Sequence, residues 1–596
     1  MTRTTMFRGL ACGVLVLGLW ACDGGTGIDP DAGDAGGDGA ADVLDVPDVE
    51  DAADDGPPPD TAPPECTVVA DPVEEPPAPT PPDETDYLIL SADPLLPVAE
   101  DLADRRRASG HNVEVLAMSS VARTIDGSPD LENYVGKIRT AIAARRTALD
   151  PALPLLVLLF GDADAGWDGS SDVVPAGTWL DPGHWVDEIT SDNVYVDFDG
   201  DELPDAAIGR VPVRTVEDAR RYLEAVQEYE TVYEPGPWNR TIHVFASEGG
   251  FGDLLDDILL DVGMRVIGEV PADWAVTFTY AARNSPYTFP PARFSDRVYD
   301  YLNAGGFLMA YIGHGSTSGF ADVDWDGGLS GPIFRTDRLG DIAIAHRPPI
   351  LVFIACSTGS FDTGDSISER LLRQPFSSPA VLSSTEVSHP YSNTIFVREV
   401  ERIGLYERPR TLGDLFLRAK RAMIERDDDL RDFMDDLAAL QLTPEEFANL
   451  PAAHLHMYTL LGDPGLVLPY PRGTVDVTVE DDRLPPGDVV RFCAQVHGPP
   501  AGTAHVTFEI ERTELARPMT PWTLDDTGWE ETVAANHESA NDKVVWSTDV
   551  TYDGGGFGLS FVVPPDTPRR DHHVVVYAED GAIDALGQAL VRVRLE

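Results

Sequence analysis

The sequence predicts an α/β protein: a sheet sandwiched by helices, built in two similar halves and followed by a separate antiparallel β-sandwich. Three observations carry this expectation. Between Asp86 and Pro471 short apolar runs alternate with amphipathic stretches, as in chains that wind a parallel sheet. Two of those runs, Gly306 to Ile312 and Ile350 to Ala355, are apolar throughout and end at Gly or Cys-Ser, which suits strands covered on both faces. Beyond Pro471 the apolar period falls to two, the signature of half-buried strands.

A chain of 596 residues has room for several domains. With 43 Lys and Arg against 102 Asp and Glu, its formal charge of −59 argues against nucleic acid or an anionic membrane face as a partner. Residues 1–22 carry Arg3 and Arg8, an apolar run from Leu10 to Trp20, then Ala21-Cys22. A bilayer needs about 20 apolar residues, so this run reads as an export signal. Leu19-Trp20-Ala21-Cys22 resembles a bacterial lipobox, with an atypical Trp. Cys22 is therefore the expected lipid-modified residue of an exported, membrane-anchored lipoprotein, with ordinary secretion as the alternative. Residues 23–85 are mostly Asp, Ala, Gly and Pro, with too little apolar surface to offset chain entropy; a disordered acidic tether is expected.

The first α/β half spans 86–236. Strands are expected at Tyr87 to Ser91, Val113 to Leu116, Leu155 to Phe160 and Ala206 to Gly209, with helices at Val98 to Ala108, Leu131 to Arg146 and from the Thr215-x-x-Asp218 cap to about Tyr233. Asp197, Asp199, Asp201 and Asp205 surround a Gly turn, a spacing that offers the several oxygens a calcium ion takes; a solvated acidic turn is the plain alternative.

Pro235-Gly236-Pro237 separates a second half, 237–471. Here the two apolar runs end in Gly313-His314-Gly315-Ser316 and Cys356-Ser357-Thr358-Gly359. If both strands are parallel, their carboxyl ends share one edge, where open α/β sheets place ligands. A thiol is a strong nucleophile as thiolate, and an imidazole beside it can take the proton. The amides of Gly315 and Cys356 can then serve a developing oxyanion. The plain reading is that each residue is structural, a small buried hydrophobe and a turn histidine.

Tyr311-Ile-Gly-His-Gly-Ser316 and Phe353-Ile-Ala-Cys-Ser-Thr-Gly-Ser-Phe361 resemble the His and Cys motifs of gingipain-type cysteine peptidases, the C25 family with a caspase-like fold. Leu158-Leu-Phe-Gly-Asp162, Ser191-Asp-Asn-Val-Tyr195, Ala207-Ile-Gly-Arg210, Ala246-Ser-Glu-Gly-Gly250 and Leu461-Gly-Asp-Pro464 match in the same order. The resemblance implies a caspase-like α/β/α sandwich of two subdomains and a cysteine endopeptidase with Cys356 as nucleophile, His314 as acid/base and Glu248 orienting the imidazole. It also implies protein or peptide substrates, adds weight to calcium, and suggests an acid after Glu-Gly-Gly, Asp256 or Asp253, that reads a basic P1 side chain. A sorting transpeptidase and a catalytically inactive surface adhesin are the rival readings; a thiol-directed probe separates live from dead, and an added amine separates transfer from hydrolysis.

Residues 472–596 hold seven alternating runs separated by Gly, Pro and Asp turns, an immunoglobulin-like β-sandwich with no ligand signal. His454 and His456 lack the spacing of a zinc helix and are expected at a strand end. Cys66 and Cys493 are left either to pair, as export allows, or to remain thiols.

Overall fold

The structure is a computed structural model that describes residues 62–66 and 82–594, apart from 122–130, 165–166, 168, 184, 232–233, 326–327, 345–346, 376 and 441. The signal segment, Cys22 and most of the tether lie outside the described residues. Among the described residues no helix is long and apolar enough to cross a membrane.

Ten short strands form one sheet: β1 (Tyr87–Ser91), β2 (Val113–Ala117), β3 (Leu156–Phe160), β4 (Ala207–Val211), β5 (Thr241–Ala246), β6 (Ala275–Tyr280), β7 (Leu308–Ile312), β8 (Ile350–Ile354), β9 (Ala380–Ser384) and β10 (Tyr458–Gly462). Their order is β2-β1-β3-β4-β10-β9-β8-β7-β5-β6. Strands β1, β3, β8, β9 and β10 are buried at every residue, as expected of uninterrupted apolar runs covered on both faces. This is the expected caspase-like α/β sheet, with one correction to the parallel pattern. β10 runs parallel to β4 but antiparallel to β9, so the two halves point opposite ways and meet at an antiparallel seam. A doubly covered strand is apolar whichever way it runs, so local pattern does not encode direction.

Several acidic and basic residues of the motifs lie in this core as ion pairs. Arg106, fully buried, binds Asp463 at 2.7 Å and Glu230 at 2.8 Å, which ties the first helix (Leu96–Ala108) to the turn after β10. Arg210 on β4 holds Asp192 through two bonds of 2.7 and 2.8 Å and stacks over Phe361, 4.8 Å from the ring centre. Such pairs fix geometry more surely than they add stability.

The C-terminal β-sandwich has eight strands, including the short Arg483–Leu484 that periodicity does not reveal, around its own core of Val490, Phe492, Phe508, Phe561 and Val574. Between Ala501–Ile510 and Val544–Asp553 the chain makes an excursion that includes the helix Trp529–Asn541. It docks on the open side of β6. The Asn541 amide accepts from Phe278 N–H at 2.7 Å and donates to Phe278 O at 3.0 Å, and Arg512 donates to the carbonyls of Val270, Pro271 and Trp274. Cys493 is disulfide-bonded to Cys66, which resolves the alternative left open above.

Candidate active site

β7 and β8 are parallel neighbours in the register Ile312 opposite Ile354, so the turns that follow them leave the sheet side by side. Gly313 N–H donates to Ile354 O at 3.2 Å. The approach of the two turns requires Gly315: a Cβ there would lie 2.8 Å from Ala355 Cβ and from Thr358 Cγ2, and 2.9 Å from Cys356 O. The structure therefore brings the predicted His and Cys turns into contact.

Cys356 is 7% exposed, and its thiol donates to Ser388 O at 3.8 Å. The next residue, Ser357, has φ +53°, a conformation L residues adopt at a cost, and its N–H donates to Glu386 O at 3.0 Å. The Cys turn is thus fastened to the loop after β9. That loop is itself held from outside: Trp185 Nε1 donates to Val387 O at 2.7 Å, and His389 N–H donates to His454 Nε2 at 2.7 Å.

His314 is fixed through backbone and ring. Its N–H donates to Ser247 Oγ at 3.2 Å, its carbonyl accepts from Tyr311 OH at 2.7 Å, and its Nε2 meets Gly249 O at 2.6 Å. Only a protonated nitrogen can bond a carbonyl, so Nε2 carries the proton and, in the neutral ring, Nδ1 keeps the lone pair. The acceptor at Nε2 is the carbonyl of Gly249, one residue beyond Glu248, whose own side chain is exposed. In the hairpin formed by Gly315–Ser316 and Gly319–Phe320, Ala321 N–H donates to His314 O. That makes Gly315 and Phe320 the wide pair, and the Gly315 amide turns out of the hairpin.

The two acids suggested for substrate reading have different surroundings. Asp256 Oδ1 accepts Phe251 N–H at 3.2 Å. Asp253 opens the helix Asp253–Glu269, and its side chain lies outside the described residues.

Of the proposed calcium ligands, Asp197, Asp199 and Asp205 converge, with carboxylate oxygens within 4.8 Å of one another. Asp201 is not in this group; its Oδ1 instead accepts Leu203 N–H at 2.9 Å. Burial, followed by repulsion from Asp199 and Asp201, pushes the Asp205 carboxyl up from its usual range. That is the electrostatic state a cation would relieve.

His454 and His456 lie in the last turn of the helix Pro444–Met457, not at a strand end. Both are buried, and burial lowers each to about 3, so they stay neutral. Pro451 inside the helix obscures its period in the sequence. Sequence reasoning also assigned no role to Ser247, Ser388 or Phe251: Ser388 acts through its carbonyl, which every residue has, and Phe251 through a ring packed beside His314. Only Ser247, inside Ala246-Ser-Glu-Gly-Gly250, carried a signal.

Among solved structures, the Arg-specific cysteine proteinase gingipain R matches at 17% identity with a TM-score of 0.47, over 88% of this chain and 100% of its own. A complex of Porphyromonas gingivalis RgpB pro- and mature domains matches at 17% and 0.47, over 85% and 100%. A structure described as a protease matches at 16% and 0.48, over 86% and 98%. No curated protein sequence matches the chain. The model of peptidase family C25 matches residues 80–469, more than half of the sequence, and includes both turns of the site. The chain therefore belongs to peptidase family C25.

Proposed function

We propose that the protein is a cysteine endopeptidase that hydrolyses proteins or peptides through Cys356 and His314 after export. The abutting of their two turns at Gly315 carries this reading. The thiol proton passes to His314 Nδ1, and the sulfur attacks the scissile carbonyl carbon. The amides of Gly315 and Cys356 stabilise the oxyanion, and His314 returns the proton to the leaving amine; water then hydrolyses the thioester. Gly249 O aims the imidazole, and Glu248 adds negative charge at the solvent side. Asp197, Asp199 and Asp205 would hold calcium as a structural ion. The disulfide accords with an oxidising compartment, and lipidation at Cys22 would keep the enzyme at a membrane surface. An acyloxymethyl-ketone probe should label Cys356, and Cys356→Ala should lose peptide cleavage with an unchanged melting temperature. Full cleavage by that variant sinks the proposal.

A further inference from the structure

We propose that Phe251 and Asp256 form a latch that fixes the orientation and tautomer of His314, so that Asp256 is a positioning residue and not a reader of substrate charge. This rests on the reading of His314 as the acid/base for Cys356. The Gly249 carbonyl that meets Nε2 sits in Glu248-Gly249-Gly250-Phe251-Gly252. Gly250 and Gly252 have φ of +67° and +96°. A run with three glycines has little stiffness of its own, and a carbonyl carried by it would wander.

Two contacts supply the missing rigidity. Asp256, in the first turn of the helix Asp253–Glu269, accepts the Phe251 N–H and closes the run onto the helix. The Phe251 ring then folds back over Gly249: a Cβ at 249 would lie 2.7 Å from Phe251 Cδ2 and 2.5 Å from Asp256 Oδ1. The ring centroid is 5.8 Å from that of His314, with the planes tilted by 48°. Phe251 remains 41% exposed, so its ring packs beside Gly249 and His314 while one side of it faces solvent. Water is the natural competitor for that carbonyl, and in this proposal the apolar ring beside Gly249 limits its access. With Nε2 held as donor, Nδ1 remains the base; an imidazole free to turn would spend part of its time with the wrong nitrogen presented.

The two roles for Asp256 make opposite demands. A latch needs an acceptor oxygen, which Asn retains. A charge reader needs the negative charge, which Asn lacks.

The test uses the full chain, a panel of fluorogenic peptides with basic and apolar P1 residues, and ¹⁵N-histidine NMR with the His314 signals assigned by His314→Asn. Phe251→Ala and Asp256→Ala should lower kcat by about ten- to a hundredfold, the order expected for a misplaced catalytic group, with KM within about twofold. The ¹⁵N shifts of His314 should move from the Nε2–H form toward a mixture of tautomers. Phe251→Leu and Asp256→Asn should recover most of kcat, with P1 preference unchanged. The latch is overturned if KM rises while kcat holds, if Asp256→Asn is as damaging as Asp256→Ala and abolishes a basic P1 preference, or if the His314 shifts do not move. A wild-type protein that neither cleaves nor labels at Cys356 would overturn the endopeptidase reading, while the His314 shifts would still decide the latch.

Discussion

Glu369 shows how much of this site depends on single buried groups. It lies in the short helix Ile367–Leu372, whose first amides donate to Thr317 O in the His turn and Thr358 O in the Cys turn. Its carboxylate closes a capping box with Ser366 and pairs with Arg373 at 2.9 Å, yet burial, and then Asp162, raise its pKa to about 7. For a carboxyl raised above its unfolded value, the stabilising contribution is present at low pH and is lost as pH rises through about 7. The charge therefore costs on the order of 3 kcal/mol well above neutrality. Glu369→Gln keeps the capping box and sheds the charge. Its melting temperature should exceed the wild type at pH 8 and converge with it near pH 5; loss of stability at both pH values would count against this account. The His and Cys turns themselves were legible, because an apolar run that stops at Gly-His-Gly or Cys-Ser is unusual. Their fastenings were not: Ser388 and Gly249 act through carbonyls, which every residue has.

Elements were legible where periodicity is strong. The helix expected to begin at the Thr215 cap runs Val216–Thr231, and Asp218 N–H donates to Thr215 Oγ1 at 3.1 Å. The segment between Ile510 and Val544 has no legible period because its tryptophans pack at irregular intervals: Trp522 stacks on both Trp325 and Trp529, and Trp529 lies tilted against Trp325. In the Asp197–Asp205 loop the acidic spacing is legible in the sequence, and the structure brings three of its carboxylates, Asp197, Asp199 and Asp205, close enough to hold an ion. An ion that binds only the folded loop stabilises it by about 2.7 kcal/mol at a hundred times its dissociation constant. A chelator should accordingly lower the melting temperature by several degrees, and Asp205→Asn should abolish that response. Superimposable melting curves with and without chelator would remove calcium from the picture.

For the whole molecule, the sequence divides at Pro469-Tyr470-Pro471 more cleanly than the structure does. Periodicity reports a separate sandwich, but the sandwich supplies the cover for an edge of the ten-stranded sheet. Asn541 satisfies both backbone groups of Phe278 on β6, and His537 bonds Thr279 Oγ1 at 3.1 Å. A bare sheet edge is a template for association. A chain ending at Pro471 should therefore aggregate or melt well below the full-length protein in light scattering and calorimetry. An equally stable, monodisperse truncation would show that the contact is incidental.

The Cys66–Cys493 bridge joins residues 427 apart and seats Pro64 and Cys66 against Gly558 of the sandwich. Mechanically, it closes a covalent ring within the polypeptide. Tension between the segment ahead of Cys66 and the residues beyond Cys493 passes through the sulfurs into the strand Val489–His497 and bypasses the ten-stranded sheet. The ten-stranded sheet is thus shackled outside the line of pull, and a stretching force would reach the sandwich first. Reduction would open the ring and put the sheet in series with the load.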